Sequence, residues 1–410
     1  EVIGIKLQKA VLIMMSIVSM SGVSSCEDRL DSPRPSTGGG KAVEVSLCVG
    51  LADEEDAVGG TKTIMVPDDP LATARPDKLY GLEVWQYDRS GSFVAGKGAS
   101  LGDVAIGSSF SVTLTAMDDC QLLIIARGYG SSNYTVGSLK DKSLSSVQGT
   151  TAPASTIEGI TTEGGVNAMP YILHLPYVNV TEDGRIESPE GSDIRILLRR
   201  LATRLTVAWE NLPDNTGYDL RQVMLQSIPV EYKLLPDNKD SYPSPLDQYR
   251  TIQVSNVTNK GQYTCWAPAV VREESANATS DYYRTKANAP KGSAYATFIS
   301  QHKTDNKKKL NYRVYLGGNS SKDFSLRDNT NYIYKVTMDH TSLPVDDKRI
   351  TIIDPILASE NNNNLVPTAN CFMVVPGGAF CFNPYTYYVN GVSKDNTLLR
   401  GWCGLSGSTL

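Results

Sequence analysis

The sequence predicts a mainly-β protein, with two consecutive antiparallel β-sandwich domains followed by an incomplete C-terminal β segment. Three observations carry the prediction. Short runs with a period of two recur along the chain, Gly, Asp, Asn and Pro separate them, and outside the ambiguous run 194–209 no long stretch shows the periodicity of an amphipathic helix. Many short strands with regular turn signals suit sandwiches, because each sheet buries one face against another. The length of 410 residues fits two or three domains of ordinary size.

Lys6 and Lys9 precede an apolar run from Ala10 to Val23 that closes on small residues and a cysteine, Val23-Ser24-Ser25-Cys26. The run of about 14 residues would reach roughly 21 Å as a helix, too short for a bilayer core of ~30 Å. Residues 1–26 therefore read as a bacterial lipoprotein signal peptide with Cys26 as the acylated residue, a soluble secreted protein being the other reading. Val23 and Ser25 stand where Leu and Gly or Ala are commoner in such a box. The chain opens on Glu1 rather than Met, so the true start codon is expected elsewhere. Residues 27–40 (EDRLDSPRPSTGGG) are polar and without periodicity, as a flexible tether between a lipid and a folded body would be.

The first strand follows. Val43, Val45, Leu47, Val49 and Leu51 alternate with Glu44, Ser46, Cys48 and Gly50, a period of two with one apolar face. Residues 53–76 read as an acidic, then Pro-rich loop, long for a compact domain. Its basic residues are Lys62 and Arg75, which offer a trypsin-like protease two positions; such residues are ordinarily just exposed. From Leu79 the chain reads as short strands: Leu82 and Val84 lead to Tyr87, Asp88-Arg89-Ser90-Gly91 turns it toward Phe93, and Phe110, Val112, Leu114 and Ala116 alternate with polar residues. Residues 122–126 are apolar on both faces, which suits a central strand.

Residues 194–209 (IRILLRRLATRLTVAW) fit a helix through Ile194, Leu197, Leu198, Leu201 and Leu205, and a strand through Leu197, Leu201, Leu205, Val207 and Trp209. The β-prone later half favours strand. A domain boundary is expected just before it, in 181–192, giving a first sandwich over 41–192 and a second over 193–342. Further strands are expected at 249–257, 294–299, 311–316 and 331–338, with turns at Gly317-Gly318-Asn319 and Asp328-Asn329. Residues 343–410 form the partial C-terminal segment.

A net charge of −5 gives no footprint for nucleic acid. The 40% hydrophobic fraction is that of a globular protein. Besides Cys26 there are six cysteines, too sparse for a disulfide scaffold and without CxxC spacing. Cys371 and Cys381, which flank a Val-Pro-Gly-Gly turn, are the candidate disulfide; buried free thiols are the other reading. Gly91 to Lys97 matches the spacing of a phosphate-binding loop, but Gly98 stands where Ser or Thr would hold magnesium, so a hairpin explains it. His174, His302 and His340 stand in no catalytic pattern and no pair has metal-ligand spacing, so no metal or cofactor is expected. The lysines of 301–309 (QHKTDNKKK) read as a solvated hairpin tip, with a patch for acidic glycans as the sharper reading.

Four stretches together resemble a known family: the lipobox at Cys26; Leu79-Tyr80-Gly81-Leu82-Glu83-Val84-Trp85-Gln86-Tyr87-Asp88; the run from Leu197 to Trp209; and Tyr312-Arg313-Val314-Tyr315-Leu316-Gly317-Gly318-Asn319 through Asn329-Thr330-Asn331-Tyr332-Ile333-Tyr334-Lys335-Val336. The chain resembles the fimbrillin-type proteins of Bacteroidales, subunits of pili assembled from lipoprotein precursors. Residues 369–377 (ANCFMVVPG) also resemble the opening of a C-terminal domain of unknown function attached to some of them. About 40 residues follow, too few for a core of their own. Either the chain is a fragment that ends early or this tail packs on the preceding domain.

The resemblance implies two transthyretin-like sandwiches and assembly by strand exchange. In stalk subunits a trypsin-like, arginine-specific protease cuts after the first strand, the strand leaves, and a neighbour's strand fills the groove through backbone hydrogen bonds and alternate side chains. Here the removable strand would be 41–51, with Val43, Val45, Leu47, Val49 and Leu51 facing the core, and the cut would follow Arg75. This chain departs from the stalk pattern, because Arg75 precedes Pro76 and such proteases cleave an Arg-Pro bond poorly, while Lys62 is better placed. A subunit that keeps its strand and lipid suits an anchor, accessory or tip role. The expected function is a non-enzymatic fimbrial or cell-adhesion lipoprotein of the outer-membrane surface. Its partners would be other pilus subunits, the membrane through its lipid, and host or bacterial surface ligands; Glu27-Asp28 resembles the surface-export signal of such lipoproteins. The competing expectation is a glycan-binding lipoprotein of a polysaccharide uptake system, with Trp85, Trp209, Trp266 and Trp402 as stacking platforms or, more commonly, as core residues.

Overall fold

Period-two alternation in the first described segment becomes β1 (Ala42–Leu51), whose burial alternates with the sequence. The computed structural model describes residues 40–59, 66–130, 139–235, 248–318, 320–339, 350–353, 365–366, 387–389 and 392–394. Cys26, Lys62, His340, Cys371, Cys381, Trp402 and Cys403 lie outside the described residues.

After β1 come β2 (Glu55–Gly59), β3 (Lys78–Tyr87), β4 (Phe93–Ala105), β5 (Ser109–Thr115), β6 (Met117–Ala126), β7 (Thr151–Pro153), β8 (Tyr171–Val180), β9 (Ile186–Glu187) and β10 (Ile196–Arg200). All but β2 and β7 share one sheet, ordered β4-β3-β6-β8-β10-β1-β5, with β9 beside β8. Its two end strands touch, β5 lying against β4 and β3. The apolar run Leu122 to Ala126 lies in β6, central and buried on both faces. Asp88 shapes the β3–β4 turn, its Oδ1 accepting from the N–H groups of Ser90 and Ser92 at 2.8 and 2.9 Å. The phosphate-loop spacing of residues 91–97 therefore spans a hairpin turn and the start of β4.

The second half adds β11 (Ala202–Asn211), β12 (Tyr218–Pro229), β13 (Glu231–Lys233), β14 (Tyr249–Gln253), β15 (Lys260–Pro268), β16 (Tyr295–His302), β17 (Lys309–Tyr315), β18 (Thr330–Met338) and β19 (Ile350–Ile353). One sheet, β15-β11-β18-β2, packs on another, β14-β12-β16-β17-β19, around Leu205, Val207, Trp209, Val223, Leu225 and Phe298. β20 (Leu365–Val366), β21 (Tyr387–Val389) and β22 (Val392–Lys394) form a small separate sheet. The chain is thus mainly β, built of sandwich-like layers. Pairing among the described strands is antiparallel except for β1 with β10, β11 with β18 and β18 with β2.

Three features differ from the sequence reading. Residues 53–76 are not all loop, because β2 lies within them and pairs in parallel with β18. A five-residue strand whose partner is far along the chain leaves no local signature. Residues 194–209 are not one strand but two, β10 and β11, which break at Leu201 and belong to different sheets. Burial in β11 is nearly continuous, so neither period stands out. Neither β12 nor β15 is anticipated: a bulge between Leu220 and Gln222 breaks the alternation of β12, and β15 is half-buried along most of its length.

Candidate functional site

The site that the resemblance singles out is β1 and the chain leading from it. Val43, Val45, Leu47, Val49 and Leu51 are buried, and Glu44, Ser46 and Cys48 face solvent. Ala42 to Cys48 pair antiparallel with Thr115 to Ser109 of β5, and Val49 to Leu51 pair in parallel with Ile196 to Leu198 of β10. Each fully buried aliphatic side chain contributes roughly 1.5–3 kcal/mol, so the five make β1 integral to the first core. Away from β5, the turn at Gly184 meets β1 closely: a Cβ there would stand 2.3 Å from the Glu44 carbonyl oxygen.

Beyond β1 the chain crosses from the first sheet to the second through residues 52–54. Ala52 N–H donates to the Leu198 carbonyl at 2.9 Å, Glu55 N–H to the Asn329 carbonyl at 3.0 Å, and Asn329 Nδ2 to the Asp53 carbonyl at 2.8 Å. Asn329 is fully buried with φ 54°, a left-handed conformation that Asn tolerates better than most residues.

Arg75, the expected processing position, is engaged. Its Nη2 lies 2.7 Å from Asp53 Oδ1 and 3.6 Å from Glu54 Oε2, and the Asp53 hydrogen bond raises its pKa further above an already high value. Pro76 behind it is buried. The preceding chain is also tied down. Asp69 accepts from Arg204 Nε at 2.8 Å and Nη2 at 3.1 Å, the two-point fork that a guanidinium offers a carboxylate. Leu71 packs in the first core, and the Ala72 carbonyl accepts from Arg200 Nη1 at 3.2 Å.

Arg200 is fully buried. It also donates to the Ala202 carbonyl at 3.1 Å and to Asn331 Oδ1 at 2.9 Å, and its guanidinium stands 4.5 Å from the Trp266 ring centroid. That of Arg204 stands 4.6 Å from the same ring. Burial pushes the Arg200 pKa down to about 10, still a cation at neutral pH. Composition gave no sign of this cluster. Its signal is the spacing of Arg200 and Arg204 within a strand-like apolar run, which by itself reads as a solvated face.

The three described tryptophans take the commoner of their two expected roles, that of core residues. Trp85, Trp209 and Trp266 are all buried, so none is a platform for a sugar. Trp85 Nε1 donates to Glu83 Oε2 at 2.8 Å, while Arg127 Nε meets Glu83 Oε1 at 2.6 Å, a paired carboxylate beside the first core. Trp209 Nε1 donates to the Thr258 carbonyl at 2.9 Å. His174 Nε2 lies 2.9 Å from Gln121 Oε1, and burial holds its imidazole below the ordinary value. His302 Nδ1 accepts from the N–H groups of Thr304 and Asp305 at 3.3 and 3.2 Å and so caps the β16–β17 tip, which carries the lysine run. Lys303 pairs there with Asp214 at 2.7 Å. Among the described residues, no group of three or more His, Cys, Asp or Glu side chains could hold a metal ion, and no helix is long and apolar enough to cross a membrane.

Comparison with known proteins follows the β framework. A family model described as a domain of unknown function, DUF4906, matches residues 265–336, a span from within β15 into β18. Residues 369–377 fall outside that span and outside the described residues. No curated protein matches the chain. Among solved structures, the tip fimbrial protein Mfa3 from Porphyromonas gingivalis, with C-terminal truncation, is similar at 16% identity and a TM-score of 0.45, over 77% of this chain and 100% of that one. The fimbrial anchor protein Mfa2 from the same organism is similar at 13% identity and a TM-score of 0.33, over 82% and 97%. A structure described as a candidate polysaccharide-binding protein from Bacteroides thetaiotaomicron has 12% identity and a TM-score of 0.33, over 78% and 99%. At such scores the likeness is loose and assigns no role to any residue here.

Proposed function

We propose that the chain is a fimbrial or cell-adhesion lipoprotein, acylated at Cys26, held at the outer-membrane surface and joined to other subunits by β-strand addition. Its role is that of an anchor, accessory or tip subunit rather than a stalk subunit. The observation that carries this reading is β1: five alternate side chains fill one core, and its backbone pairs with β5 along most of its length and with β10 only at its end. A strand seated in this way has the geometry that strand addition uses, with knobs for specificity and a ladder for affinity. The lipobox and the three other family-like stretches supply the setting. Such a role needs no chemistry from the chain, and its partners are subunits and surface ligands.

Mass spectrometry of the mature N-terminus from outer-membrane fractions tests it. An acylated Cys26 with no internal cut is expected, together with detergent-resistant, partner-linked ladders on unheated gels. A non-acylated, freely secreted chain that forms no such ladder overturns the proposal.

A further inference from the structure

The acidic turn between β1 and β2 is gripped by three arginines from two places in the chain. Arg75 reaches Asp53 and Glu54 at 2.7 and 3.6 Å. Arg200 Nη1 stands 3.9 Å from Glu54 Oε1, and Arg199 Nη1 stands 3.3 Å from Glu55 Oε1. The Glu54 side chain is only 7% exposed, and the guanidinium groups of Arg75 and Arg200 stand on it. Asn331 Nδ2 adds a bond to Asp56 Oδ1 at 3.1 Å. Arg75 itself sits on a segment that Asp69, Leu71 and Ala72 fasten to the second sheet and the first core.

We propose that this arginine clasp retains β1 after the backbone between β2 and β3 is cut. The inference rests on the reading of β1 as the exchangeable strand and adds what governs its release. A protease that selects arginine needs the side chain free and the following residue in an extended, accessible backbone. Arg75 is occupied by two carboxylates and Pro76 is buried, so the residue that would be recognised is the one that holds the turn. Cutting elsewhere in the connection leaves Arg75, Arg199 and Arg200 on the body and Asp53, Glu54 and Glu55 on the strand. The two pieces stay joined by charge-assisted bonds as well as by the ladder.

The test uses the full chain with the recognition sequence of a specific protease in place of residues 60–65. After complete cutting, gel filtration under native conditions followed by mass spectrometry counts how much of the peptide carrying β1 stays with the body over time. Retention is expected in the parent, loss roughly two- to fivefold faster with Arg75→Gln, as suits an ion pair open to solvent, and partial rescue with Arg75→Lys, which keeps the charge but not the guanidinium geometry. Asp53→Asn, at a 97% exposed side chain, removes the main Arg75 contact without touching the core and should also speed loss. Equal rates in parent and variants, or immediate loss from the parent, would overturn the clasp. Retention is read on the isolated chain, so its failure is separate from failure of the fimbrial reading, which appears as absent partner-linked ladders with retention unchanged.

Discussion

Arg200 shows how one side chain couples distant parts of the chain. Its donors reach residues 72, 202 and 331, and its cation lies over Trp266. Arg200→Met would keep much of the volume and leave those acceptors unpaired, a loss of about 3 kcal/mol or more, read from urea midpoints at constant slope. His174 gives a pH dependence of known sign. Burial holds its folded pKa below the ordinary 6.5, so the unfolded chain takes up the proton first. The stability that its neutral form allows is complete above that value and is lost as pH falls through it toward the folded pKa. His174→Gln should flatten this part of the acid limb in thermal melts run across that window.

At the scale of elements, β1 is written in the sequence and its surroundings are not. Leu47→Ala should destabilise by about 2–5 kcal/mol, the range for deleting a buried leucine side chain, as measured by chemical denaturation. Gly184 and Gly191 share a φ of 82°, but only the first has a neighbour within reach, the Glu44 carbonyl of β1. Replacing each by Ala separates two effects. Both incur backbone strain of about 1–3 kcal/mol, and the excess in Gly184→Ala measures how tightly the turn abuts β1. Hydrogen exchange of the β1 amides should rise in Gly184→Ala and stay unchanged in Gly191→Ala.

For the whole molecule, the described residues from Ala42 onward form one compact unit. β7 from the first half pairs with β13 from the second, and Tyr232, Leu234, Leu235 and Trp266 pack into the first core. β2 leaves the first half to edge the second sheet. Shared strands and a shared core mean that one half cannot unfold without exposing the other. A single calorimetric transition, with equal van't Hoff and calorimetric enthalpies, is therefore expected. Two resolved transitions would mean that the halves are independent.

The sequence by itself determined what local patterns can carry: the β class, the inward face of β1, the central place of residues 122–126, and the turns at Asp88 and after His302. Each follows from period two, from an unbroken apolar run, or from a turn residue acting on its own neighbours. Only the tertiary structure decided that residues 194–209 divide between two sheets, that EDAVG in 55–59 is a strand, and that Arg75 is a tie rather than an open loop residue. These depend on partners more than a hundred residues away or on carboxylates across a crossover. A charged side chain reads the same in the sequence whether it meets water or another chain segment; the fold chooses by bringing the opposite charge within reach and excluding the solvent.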